Sequence, residues 1–251
     1  MVVLSFENGK CYLNGYLRPH KPYELLSLIS MEITEIIGKV PHDIRELDLS
    51  DNSIEDISRL NTNRLAWLSL AQNKIEKVDI DFKKITQLAL DYNFIKSIEN
   101  INTARLYYLS ISHNLIEEVI NLNTENLIQL HLNNNKIKRV CFKTGKLKFL
   151  SLSYNDIESV DELIIDPNLS DLFLVGNKLT EFKKTGLKGY NRINLHSNNI
   201  TNPFNIETDV MISDFNINGI INEKGKEIID MKMLNEYKDY IIQNRKKSAR
   251  K

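Results

Sequence analysis

Apolar and polar positions along this chain alternate in a pattern that returns about every twenty-one residues. Taking Asn73 as reference, equivalent asparagines stand at Asn52, Asn93, Asn114, Asn135, Asn155, Asn177 and Asn198, with successive intervals of 21, 20, 21, 21, 20, 22 and 21 residues. Eight positions before each asparagine lies Ile44, Leu65, Ile85, Leu106, Leu127, Leu147, Leu169 or Tyr190. Five before lies Leu47, Leu68, Leu88, Leu109, Leu130, Leu150, Leu172 or Ile193; three before lies Leu49, Leu70, Leu90, Ile111, Leu132, Leu152, Leu174 or Leu195. Two after lies Ile54, Ile75, Ile95, Ile116, Ile137, Ile157, Leu179 or Ile200. Weaker copies flank these eight units. Tyr23, Leu26, Leu28 and Ile33 fit the pattern with Met31 in place of the asparagine, and Val210, Phe215, Asn218 and Ile220 fit it at the other end. Degenerate end units are expected where a stack must stop.

The spacing predicts local structure. Two apolar residues separated by one polar residue make a short strand with one buried face. A single unit cannot enclose that face, whereas stacked units bury a continuous core and pair their strands in parallel, about 4.8 Å apart. An asparagine where the chain leaves the strand has donors and an acceptor for backbone groups that the turn leaves unpaired. Repeated in each unit, it predicts a ladder inside the stack. The remaining halves of the units, such as DISRLNTNR and VINLNTEN, are short and suggest turns or extended segments, and VDIDF (78–82) alternates as a strand does.

Once the inward positions are assigned, the outward ones follow by alternation. Six before each asparagine stand Glu46, Trp67, Gln87, Tyr108, Gln129, Phe149, Asp171 and Arg192. Four before stand Asp48, Ser69, Ala89, Ser110, His131, Ser151, Phe173 and Asn194; two before stand Ser50, Ala71, Asp91, Ser112, Asn133, Ser153, Val175 and His196. Aromatic side chains are therefore expected to stand on a floor of small residues, with an acidic end at Glu46 and Asp48 and a basic end at Arg192 and His196. Exposed aromatics bury much area at little entropic cost when a partner docks. The candidate partner-binding residues are Glu46, Asp48, Trp67, Gln87, Asp91, Tyr108, Gln129, His131, Phe149, Phe173, Arg192 and His196.

The units LAWLSLAQNKI, LYYLSISHNLI and LKFLSLSYNDI resemble the leucine-rich repeat family and its pattern LxxLxLxxNxI, over roughly residues 20 to 222. The short unit is similar to the intracellular class that includes the type-1 phosphatase regulatory subunit. The resemblance implies an α/β solenoid, a right-handed array of about eight to ten units with a parallel concave β-sheet and few long helices. The expected organisation is an N-terminal cap over 1–40, repeats over 41–222, and a C-terminal capping helix with a basic tail over 223–251. In the cap, Asn8-Gly9 between two β-type runs signals a hairpin. In the C-terminal segment, Ile228, Met231, Leu234, Tyr237 and Ile241 share a helical face.

Composition narrows the function. Lys+Arg 33 and Asp+Glu 33 cancel, so whole-chain charge does not point to a polyanion. Contact with nucleic acid is expected only through the basic tail 245–251, RKKSARK. The opening MVVLSFENGK lacks the pattern of a signal peptide, and no stretch approaches the ~18 apolar residues of a membrane span, so an intracellular protein, cytoplasmic or nuclear, is expected. Two cysteines, Cys11 and Cys141, are expected as unpaired thiols. His131 and His196 lie three units apart, about 14 Å by strand spacing, too far to share a metal whose ligands each stand about 2 Å from it. TGLKG (185–189) lacks the phosphate-loop spacing, and the acids of the concave face are spread along it. No catalytic, metal or cofactor residue is assigned. The expected function is non-catalytic recognition of a protein partner on the concave face. The alternatives are a structural subunit of a larger assembly, such as a viral particle, and a phosphatase-regulatory subunit.

Overall fold

A computed structural model describes residues 1–60, 62, 64–78, 84–99, 101, 104–184, 192–200 and 206–208. The expected C-terminal helix, the weak unit around Asn218, the basic tail, TGLKG, Tyr190 and residues 79–82 of the VDIDF segment lie outside these. Among the described residues there is no helix.

Each leucine pair forms one short strand. These are β4 (Leu25–Ser27), β6 (Glu46–Asp48), β7 (Trp67–Ser69), β8 (Gln87–Ala89), β9 (Tyr108–Ser110), β11 (Gln129–His131), β13 (Phe149–Ser151), β14 (Asp171–Phe173) and β16 (Arg192–Asn194). They assemble in that order into one nine-stranded parallel sheet. The register keeps the units in phase, so that Leu26, Leu47, Leu68, Leu88, Leu109, Leu130, Leu150, Leu172 and Ile193 are successive partners. This is the parallel solenoid expected from the repeat, and the inward columns are its core. Leu65, Leu68, Leu70 and Ile75 have no exposed surface, and the other described members of the four columns from Ile44 to Ile200 are at most 8% exposed. Burying each such side chain is worth about 1.5–3 kcal/mol.

The asparagine ladder is present throughout. Asn73 accepts a hydrogen bond from the Ile54 N–H (3.0 Å) and donates to the Leu49 carbonyl of the preceding unit (2.9 Å) and to its own Leu70 carbonyl (3.1 Å). Asn93, Asn114, Asn135, Asn155, Asn177 and Asn198 repeat the same three contacts one unit further on. Asn52, the first rung, accepts from both the Met31 and Ile33 N–H groups. The residue before every rung is left-handed, with φ of 53° to 65° at Asp51, Gln72, Tyr92, His113, Asn134, Tyr154, Gly176 and Ser197. A side chain there costs on the order of 1 kcal/mol, and the ladder's bonds hold the strained residue in place.

At the N-terminal end, β1 (Val2–Glu7), β2 (Lys10–Leu13) and β3 (Tyr16–Arg18) form an antiparallel meander, and β1 pairs in parallel with β5 (Ile33–Gly38). Asn8 and Gly9 both take positive φ, as do Asn14 and Gly15, the combination a tight two-residue hairpin requires. The Asn14-Gly15 pair carries the same sequence signal and makes a second turn that the sequence reading did not single out. Tyr23 departs from its expected inward position. It is 67% exposed with φ 63°, and the Arg45 guanidinium lies 5.9 Å from its ring. In the end unit, this ring packs on a neighbouring cation instead of entering the core.

The outer wall is less regular. β10 (Glu118–Ile120) pairs with β12 (Arg139–Cys141), and β15 (Phe182–Lys184) with β17 (Ile206–Thr208), both in parallel. Ile57, Val78, Ile98, Val119, Val140, Val160 and Phe182 turn inward and close the core from that side.

Candidate functional site

Because the strands are in phase, side chains that alternate outward from the core form straight rows across the sheet. One row runs Leu25, Glu46, Trp67, Gln87, Tyr108, Gln129, Phe149, Asp171, Arg192. The next runs Ser27, Asp48, Ser69, Ala89, Ser110, His131, Ser151, Phe173, Asn194. Trp67, Gln87, Tyr108 and Phe149 are half-buried, whereas Glu46, Gln129 and Arg192 are exposed.

Small residues do form the floor. Ser69, Ser110 and Ser151 are only 5–6% exposed, and polar atoms there stitch one unit to the next. Ser50 and Ser69 share a hydrogen bond of 2.6 Å. Asp91 Oδ1 accepts from the Ser110 hydroxyl at 2.6 Å and the Ser112 N–H at 2.7 Å. Asn133 Oδ1 does the same for the Ser151 hydroxyl and the Ser153 N–H. One carboxylate oxygen of Asp91 is thus committed to the unit that follows it. Asp48 Oδ1 accepts from the Ser50 N–H at 3.0 Å.

The aromatics are more continuous than their spacing in one column suggested. His131, from the floor row, fills the gap between two members of the outer row, with ring centroids 5.4 Å from Tyr108 and 4.7 Å from Phe149. Phe173 continues the chain at 5.4 Å from Phe149. Four rings from four neighbouring strands therefore make one patch, and Trp67 stands two strands away from Tyr108. His131 Nε2 is buried and has no hydrogen-bond partner. Burial lowers the proton affinity of this imidazole below the ordinary range, and the nearby Asp91 charge opposes the effect. The ring is accordingly neutral near pH 7 and completes an apolar surface.

The two ends differ. Leu25 and Ile29 are 48% and 41% exposed beside Glu46 and Asp48. At the far end, Arg192 Nε pairs with Asp171 Oδ1 at 2.5 Å. The basic end expected from Arg192 and His196 is thereby offset by an acid one strand away. His196 is exposed and shares a 2.6 Å hydrogen bond with the Ser197 hydroxyl.

A second aromatic set lies along the margin where the chain leaves the strands. Tyr92 stacks on His113 at 4.0 Å and 9°, and Tyr92, Phe94 and Tyr154 are about half exposed. His113 takes the left-handed φ of 56° at the turn, and the column in which it stands was not followed in the sequence. Counting one position before and one after each asparagine would have found this margin.

Among the described residues no group of three His, Cys, Asp or Glu side chains is arranged to hold a metal, and no helix is long and apolar enough to cross a membrane. Both cysteines are free thiols. Burial pushes the Cys11 thiol up to about 11. Cys141, on the outer wall, is raised by its hydrogen bond to Glu162. An open depression on the outer loops is lined by Glu55, Asp56, Lys74, Glu76 and Phe94.

No protein-family profile and no curated protein sequence matches this chain. Solved structures do. The leucine-rich repeat domain of APL1 is similar with a TM-score of 0.53 at 20% identity, covering 70% of this chain and 56% of that one. The corresponding domain of APL1B gives 0.44 at 17% identity, covering 70% and 65%. YopM from Yersinia enterocolitica WA-314 gives 0.35 at 19% identity, covering 75% and 57%. This chain thus spans a little over half of the APL1 domain. At 20% identity the likeness to the APL1 domain concerns the fold, and it agrees with the in-phase parallel sheet and the asparagine ladder: the chain folds as a leucine-rich-repeat solenoid.

Proposed function

We propose that this protein is a non-catalytic recognition module that holds a protein partner on its concave sheet. The observation that carries the reading is the half-exposed aromatic surface of Tyr108, His131, Phe149 and Phe173, with Trp67 beside it, on a rigid nine-stranded frame. Such side chains cost little ordering entropy when covered and dominate binding energies where they are central. Their seats are fixed by the register, so the surface is preorganised. The candidate contact residues are those that alternate outward from the core, with Trp67, Tyr108 and Phe149 as anchors, Gln87 and Gln129 as hydrogen-bonding spacers, and Glu46, Asp48, Asp91, Arg192 and His196 as charged or titratable flanks.

The test is affinity purification with mass spectrometry on the wild type and on a Trp67/Tyr108/Phe149 alanine variant of unchanged melting temperature. A partner retained by the wild type and lost by the variant supports the reading. Equal retention moves the contact to another surface. The narrower class suggested by the short unit makes a separate expectation, retention of the type-1 phosphatase catalytic subunit in a pulldown.

A further inference from the structure

The charges on the concave face are unequally distributed. Over the described units, the outward positions carry Glu46, Asp48, Asp91 and Asp171 against a single strong base, Arg192. Arg192 is paired with Asp171. Among the described residues no cation stands within ion-pair distance of the other three acids, and two of them, Glu46 and Asp48, lie on the strand next to Trp67. Glu46 is the direct register partner of Trp67 and Asp48 is that of Ser69, whereas Asp91 stands four positions past Gln87 in the unit that follows and turns its Oδ1 to Ser110 and Ser112. The obvious local cation is turned elsewhere. Arg45 donates from Nη1 to the Arg64 carbonyl and lies over Tyr23. The residues that enter the strands add a further constraint, because Arg64, Lys84, Arg105 and Lys148 are exposed there. A uniformly basic segment would be repelled by that margin, whereas one cation reaching past it would find an aromatic face and uncompensated carboxylates.

We infer that the concave face takes an extended protein segment in which one Arg or Lys seats on Trp67 beside Glu46 and Asp48, and an apolar side chain about four residues away seats on the Tyr108–His131–Phe149 patch. This rests on the concave recognition proposed above and specifies its partner. An indole is the best aromatic platform for a cation, and flanking carboxylates strengthen the contact. From β7 to β11 is three strand steps, about 14 Å, which an extended chain at about 3.3 Å per residue covers in roughly four residues. The neutral His131 ring suits the second seat to an apolar group, since it presents no charge there. Asp91 and Asn133 have bonded their Oδ1 atoms to Ser110, Ser112, Ser151 and Ser153, so the cation is drawn to the exposed Glu46 and to the half-buried Asp48 carboxylate beside Trp67.

The experiment is a phage-displayed random dodecapeptide selection on the full chain, with counterselection on the Trp67/Tyr108/Phe149 alanine variant. Selected peptides are then synthesised and titrated against the wild type. Trp67 is the only tryptophan, so its emission reports occupancy of the first seat directly. The expected result is enrichment of one Arg or Lys spaced three to five residues from an aromatic or large aliphatic residue. Glu46→Gln/Asp48→Asn, which keeps the Asp48 acceptor for Ser50, should weaken these peptides at least ten-fold with an unchanged melting temperature. Replacing the peptide's basic residue by Gln should lose a similar factor on the wild type and little on the double variant. Enrichment of acidic or uncharged peptides, or equal affinity for the double variant, would overturn the cation seat and leave concave recognition standing. Failure to enrich any peptide over the alanine variant would remove both.

Discussion

The inner and outer walls of this coil come from the same repeat, yet they obey different rules. On the inner wall every described unit contributes one strand to a single sheet in residue-for-residue register. The outer wall holds short strand pairs, β10 with β12 and β15 with β17, and an isolated bridge between Lys143 and Ile164. The difference follows from where length varies. Nine residues, from the first leucine to the asparagine, are invariant in spacing, whereas Ile85 follows Asn73 by 12 positions and Leu169 follows Asn155 by 14. All slack is placed outside, so the inner wall can stay in phase. A surface built from an in-phase wall has fixed spacing between side chains, which suits recognition. A wall that absorbs insertions does not offer that.

Substitutions should separate the two walls, and the largest effect is expected on the ladder. Asn114→Leu strands the Ile95 N–H and the carbonyls of Leu90 and Ile111, all inside the stack. The expected loss is on the order of 3 kcal/mol, read as a shift of the urea midpoint. A loss below about 0.5 kcal/mol would mean that the ladder is not what holds the inner wall. Next come the binding anchors. Trp67→Ala and Tyr108→Ala should each weaken an isolated partner by about 2 kcal/mol or more with little change in melting temperature, and equal affinity would break the link between rows and recognition.

Gly176→Ala should cost about 1–2 kcal/mol. Its φ is 65°, and an added Cβ would stand 2.7 Å from the Tyr154 ring. Repeating the change in a Tyr154→Ala background should recover part of the loss, and no recovery would exclude the ring as a cause. A smaller effect attaches to pH. His131 binds protons less readily folded than unfolded, so the unfolded state takes up more protons below the ordinary value of 6.5 and stability falls as pH drops from there towards the lowered native value. His131→Phe should flatten that part of the melting-temperature profile, and an unchanged slope would assign it to other groups. The smallest effect belongs to the outer wall. Lys96 and Glu76 pair at 3.0 Å but are 65% and 60% exposed, and Lys96→Ala should change stability by no more than about 0.5 kcal/mol.

The inner wall was legible in the sequence because its determinants are local and repeated. A leucine two positions from another must share its face, and Asn73 could be recognised as a rung from its place after Leu70. The outward rows followed from the same count. Contacts that depend on side-chain reach between strands did not. That His131 from one row would bridge Tyr108 and Phe149 from another, or that Arg192 would turn to Asp171, is a matter of rotamer and neighbour rather than of period. Tyr23 fits the spacing and still faces solvent, because it stands in the terminal unit and packs against Arg45. The outer wall was least legible, since segments of 11 to 13 residues with few apolar anchors admit several paths.

The most direct test of concave recognition is the emission of Trp67 during titration with an isolated partner. Saturable binding accompanied by a shift or quench of that emission, and lost in the Trp67/Tyr108/Phe149 alanine variant when followed by calorimetry, is the predicted result. Saturable binding that leaves the emission unchanged and the variant's affinity intact would contradict it.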